Sequence, residues 1–141
     1  MNNKLIPGLL MVVVCSQANA GWLHSPSDLG KQSIEIAYQL NQFAEMNKTD
    51  LCAGDVNIAA AYIESAGREL QRDQRTKALT SLSYGQNELK EISNVRSYCA
   101  NLAVSVKPYL AKVILIKSEV ENEPLPAPDQ TSDWVARARI F

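Results

Sequence analysis

The side chains through which this chain could do chemistry are few: three cysteines, a single histidine and several clusters of like-charged residues. Cys52 and Cys99 lie in the body of the chain and Cys15 in an apolar stretch near its start. Cys52 and Cys99 are far apart in sequence, and no C-x-x-C spacing is present, so neither a redox pair nor a thiolate metal site is favoured. In an exported protein, an even number of body cysteines reads as a disulfide. Closing a loop of this length stabilises a fold by roughly 3 to 5 kcal/mol.

His24 is the sole histidine. A triad or a histidine acid–base pair would have to use it, and a metal site would need several more ligands than it offers, so it reads as a solvated surface residue. Carboxylates cluster as Glu88 with Glu91 and as Glu119, Glu121 and Glu123. A glycosidase-type pair needs two carboxyls facing across a cleft, one with a raised pKa. Their spacing places these on solvated helix faces instead. The serines form no G-x-S-x-G or S-x-x-K arrangement, which leaves nucleophilic catalysis without a base. No cofactor or metal is expected.

Arg68, Arg72, Arg75 and Lys77 gather within one short stretch, with Glu64 one turn ahead of Arg68. That basic end either docks an acidic partner or a phosphate, or is a solvated face; it lacks a Gly-rich loop and interleaved aromatics. The five tyrosines fall on helix faces, where the ring packs and the hydroxyl reaches water. Trp22, Trp134 and Phe141 fall outside the apolar stripes. They either cover the ends of the fold or anchor a partner, as exposed large aromatics often do at interfaces. Asn47, Lys48 and Thr49 match the N-glycosylation pattern, which matters only in a eukaryotic secretory pathway.

The elements that must position these residues begin with a leader. Lys4 is followed by an apolar run from Leu5 to Cys15 and by Ala18, Asn19, Ala20, the small-x-small pattern of signal peptidase. Residues 1–20 therefore read as a cleaved signal peptide, with the mature chain starting near Gly21. Cys15 would be the modified residue of a lipoprotein under the alternative reading, but Val14 stands where that processing wants a small residue. The run is too short for a permanent span, and no other stretch is apolar enough to make one.

Cleavage removes one of the 14 basic residues and none of the 15 acids, leaving 121 residues and a formal net charge of minus two. One domain is expected at that length, and the balance gives no general attraction to nucleic acid or anionic lipid.

Apolar spacing predicts helices along the whole body. The first runs from an N-cap at Ser27 ahead of Asp28 through Leu29, Ile36, Leu40 and Phe43 to about Met46. Asn47 to Gly54 is a break, and Asp50 or Asp55 caps a second helix along Val56, Ala59, Ala60, Ile63, Ala66 and Leu70. Its small residues, Gly67 included, allow a close neighbour.

A reversal is placed at Arg72 to Gln74, followed by a long third helix through Ala78, Leu82, Leu89, Ile92, Cys99, Leu102 and Val106. Cys52 lies 22 residues before Gln74 and Cys99 lies 25 after it, so an antiparallel pair returns both cysteines to one end. Pro108 then either starts a fourth helix along Tyr109, Leu110, Val113, Ile114, Ile116 and Val120 or kinks a continuous one. Burial favours four helices. Pro124, Pro126 and Pro128 mark a linker to a short tail.

The expected fold is thus an all-α antiparallel bundle of three to four helices with one disulfide, Cys52 to Cys99, spanning residues 21–120 and followed by a Pro-rich tail over 121–141. The expected function is a non-enzymatic protein-binding factor of the bacterial periplasm, either an immunity protein neutralising an incoming toxin or an accessory of secretion or envelope assembly. Its candidate contacts are Trp22, Trp134, Phe141, Arg68, Arg72 and Arg75. The alternative is a periplasmic carrier of a small apolar ligand in the helical core.

Overall fold

The computed structural model describes residues 24–94 and 98–122. The leader, Trp22, and the Pro-rich tail with Trp134 and Phe141 lie outside the described residues. Within them the chain forms four helices, α1 (Pro26–Met46), α2 (Ala53–Gln71), α3 (Arg75–Ile92) and α4 (Ala100–Glu121), with no strand among the described residues. Each helix packs on the next in sequence, whereas α1 and α4 barely meet.

Ser25, not Ser27, caps α1. Pro26 takes the first helical position, where its fixed φ suits the helix and its missing N–H is not wanted. The Ser25 hydroxyl accepts from the Asp28 amide at 3.1 Å and donates to the Asp28 carboxylate at 2.7 Å. That donated bond is the main cause holding the Asp28 carboxyl below its ordinary value. At α2 the N-cap is Cys52. The predicted cap Asp50 lies in the turn before it and accepts the Cys52 amide at 2.9 Å, while Asp55 sits in the first turn, where its charge suits the helix dipole.

All six apolar positions expected along α2 are buried. Small residues there let α1 approach until the backbones of Gly30 and Gly67 touch: a Cβ on either would lie 2.7 Å from the other's carbonyl oxygen. The reversal falls at Arg72 to Gln74 as expected, with Asp73 in the left-handed region at φ 56°, a conformation that aspartate tolerates better than most residues.

The long third helix is corrected. α3 ends at Ile92, and the chain turns back before Cys99, so Leu102 and Val106 belong to α4. Ser93 and Asn94 close α3, their amides bonded to the Leu89 and Glu91 carbonyls. The apolar spacing across Leu89, Ile92, Cys99 and Leu102 stays near helical register and hides the break. Pro108 accordingly neither begins a helix nor kinks α3; it sits inside α4.

The core joins Leu29 and Leu40 of α1, Val56 and Ile63 of α2, Leu82, Leu89 and Ile92 of α3, and Val106, Val113 and Val120 of α4. Both ends are tied. Cys52 and Cys99 are bonded, with Cα atoms 5.5 Å apart, and each is the N-cap of its helix. At the opposite end the Arg75 guanidinium donates to the carbonyls of Val120 and Glu121 at 2.8 and 2.7 Å, capping the C-terminus of α4.

Candidate functional site

Along the solvent side of the α2–α3 seam, large apolar and aromatic side chains remain outside the core. Ile58 and Tyr62 stand one turn apart on α2, and Tyr84 on α3 packs against Tyr62 with ring centroids 5.3 Å apart. Tyr84 is 54% exposed and Ile58 47%. Gly85, beside Tyr84, is buried, and a Cβ there would meet Ile63 at 2.7 Å. This close approach brings the two helices near enough for the tyrosines to meet.

Towards the disulfide the face turns acidic. Asp55 lies one turn before Ile58, and Glu88 and Glu91 continue the α3 stripe beyond Tyr84. Tyr98 closes the end, its phenol donating to the Asp55 carboxylate at 3.1 Å. That hydrogen bond, with the negative charges of Asp55, Glu88 and Glu91 adding to it, raises the Tyr98 phenol above its ordinary value. Asp55, Glu88, Glu91 and Tyr98 wall a cleft of about 190 Å3 floored by Ile92 and Cys99. Asp55 also lies within 4.8 Å of both sulfurs. Two thiolates and a carboxylate would be a donor set for a soft metal, but sulfurs joined to each other are not thiolate ligands.

The predicted basic end divides. Arg68 pairs with Glu64 on its own helix and, with the exposed Arg72, borders a groove of about 460 Å3 that also takes in Ile34 and Gln71. Arg75 points elsewhere, into the carbonyls that end α4. The three arginines therefore share an end of the bundle but not one surface.

Because α1 and α4 scarcely touch, an open groove of about 610 Å3 separates them. Ile36, Leu115 and Ile116 supply its apolar wall, Lys31, Lys112, Glu35 and Glu119 its charges. Leu115 is 64% exposed. His24 is exposed, as expected, and in addition sets Nδ1 3.0 Å from Glu119 Oε2, bridging the groove's end. The tyrosine pair, the Tyr98–Asp55 contact and this bridge each join residues of different elements. Stripe positions marked the tyrosines as surface residues without saying which of them would meet.

Among the described residues no helix is long and apolar enough to cross a membrane. No family model, curated protein or solved structure matches the chain.

Proposed function

We propose that this chain is an exported, non-enzymatic protein-binding factor of the bacterial periplasm, working as an immunity protein for an incoming toxin or as an accessory of secretion or envelope assembly. The observation that carries the reading is the exposed Ile58, Tyr62, Tyr84 and Tyr98 surface on a bundle tied at both ends. Tyrosine gives large contact area at low entropic cost and is enriched where proteins bind one another. A surface held by a disulfide loses little further freedom on binding. The apolar leader and the oxidised cysteines support export.

Capture on the tagged mature chain from its own envelope fraction, with mass spectrometry of the bound proteins, tests this reading. A stoichiometric hydrolase indicates immunity, and an envelope or secretion component indicates an accessory role. A blank capture removes the reading.

A second reading, a carrier of a small apolar ligand, is favoured by the α1–α4 groove, whose volume lies in the range of ligand sites. The site it offers is an open groove between helices rather than the core. Intact mass under native conditions distinguishes it: a constant mass excess on the purified protein supports a carrier.

A further inference from the structure

We infer that the partner docks on the α2–α3 face and presents a cationic surface, one of whose long basic side chains enters the cleft beside the disulfide. The inference rests on the protein-binding reading above and names the chemistry of the partner.

The face has the anatomy of an interface. Its centre is the Tyr62–Tyr84 pair with Ile58, large side chains that no other part of the described chain covers. Its rim at the disulfide end carries Asp55, Glu88 and Glu91. Burying an aromatic centre supplies binding energy, while a rim of one sign selects a partner of the other and speeds encounter.

Among the described residues, the cations of this face do not neutralise that rim. On the α3 stripe the basic residue is Lys77, two turns before Tyr84, or roughly 10 Å towards the opposite end of the bundle. Lys90 is exposed but lies roughly a quarter of a turn around the helix from Glu91 and about half a turn from Glu88. Three carboxylates with apolar neighbours would repel a nucleic acid or an anionic lipid headgroup, so the complementary macromolecule is a basic protein.

The cleft adds shape to charge. Its volume of about 190 Å3 is that of one long side chain, and its apolar floor of Ile92 and Cys99 suits the methylenes of an arginine or lysine while the walls meet the charged head. The exposed Tyr98 ring stands beside the carboxylates, where a cation can use its face as well.

Photo-crosslinking in exporting cells tests the inference. A benzophenone amino acid replaces Tyr84 in one full-length chain and Leu115, in the α1–α4 groove, in another. The expected result is a crosslink from position 84 to one protein, identified by mass spectrometry, through a basic patch of its surface. The purified pair is then measured with Glu88→Lys/Glu91→Lys, whose fold is checked by thermal melting. Binding is expected to weaken at least tenfold and to fall as salt rises.

A crosslink from position 115 alone overturns the inference and leaves the protein-binding reading standing. A partner caught at position 84 whose affinity ignores both the charge reversal and salt also overturns it. Blanks at both positions, together with a blank capture on the tagged chain, remove both.

Discussion

The backbones of Gly30 on α1 and Gly67 on α2 meet so closely that a methyl group on either would lie 2.7 Å from the other's carbonyl oxygen. The contact is backbone to backbone, so no side-chain rotation relieves the clash. Gly67→Ala therefore forces the two helices apart and is expected to destabilise the fold by about 1 to 3 kcal/mol. On thermal melting this lowers Tm by roughly 4 to 8 °C per kcal/mol. Gly54, in the first turn of α2, has nothing within 4 Å of a built Cβ. Gly54→Ala should shift Tm slightly upward, by the backbone entropy removed from the unfolded chain. Equal shifts from both substitutions would refute the close approach.

The disulfide closes a loop of 47 residues. Chain-entropy reasoning gives about 4 kcal/mol for such a loop, a large share of a small domain's stability. Cys52→Ser/Cys99→Ser is expected to lose that amount in urea unfolding. A double variant unfolding at the same midpoint as the parent would show that the staple contributes nothing.

Arg75 is expected to act on stability rather than on binding. Arg75→Met keeps the stem but removes both hydrogen bonds to the end of α4, for a loss of about 1 to 2 kcal/mol at this partly exposed site. Amide exchange in the last turn of α4 should quicken, with little change near the disulfide. Uniform acceleration throughout the bundle would contradict the local role.

The Tyr98 phenol should be among the last tyrosines to ionise, since the Asp55 hydrogen bond favours its neutral form. Its folded value is raised, so its contribution to stability is complete below the ordinary tyrosine value of about 10 and is lost as pH rises through the raised one. Phenolate absorbance, compared between the parent and Tyr98→Phe, isolates its titration. Asp55→Asn should bring it back towards the ordinary range. A phenol that titrates unchanged in that variant would show that the Asp55 contact is absent in solution.

Ser25→Ala removes the side chain that caps α1 and is expected to destabilise the fold by about 1 kcal/mol. The Asp28 carboxyl is held low mainly by that hydroxyl. Its contribution is present above the ordinary aspartate value and lost as pH falls through the lowered one, so the parent and the variant should converge in acid. Parallel melting curves down to strong acid would contradict the reciprocal cap.

Local patterns made most of the architecture legible. The α2 stripe from Val56 to Leu70 and the turn at Arg72 to Gln74 follow from periodicity and turn chemistry, and the cysteine pairing from the even count of body cysteines; on helix length Cys99 would fall on α3, whereas it caps α4. The α3–α4 break was hidden because Ile92 and Cys99 are seven residues apart, two helical turns, so a reversal and a continuous helix give nearly the same apolar spacing. Ser93 and Asn94 were the local signal for it. The cap at Ser25 was misplaced because Ser27 is equally suited to capping, and Pro26 at the first helical position decides between them. The candidate surface was the least legible part. Tyr62 meets Tyr84, Tyr98 meets Asp55 and His24 meets Glu119 only through the register between helices, which periodicity within each helix does not specify.

Pro108 lies inside α4 and brings no amide hydrogen to the helix. The ladder of α4 therefore lacks the bond that would reach the Val104 carbonyl, one turn back. Its first part hangs from Cys99 and its second from the bonds that Arg75 makes to Val120 and Glu121. One half is fastened covalently and answers to thiol reductants, the other is fastened by charge-assisted hydrogen bonds and answers to mutation of a single arginine. The last helix is thus fastened at its two ends by different chemistry, with the missing ladder bond of Pro108 between them.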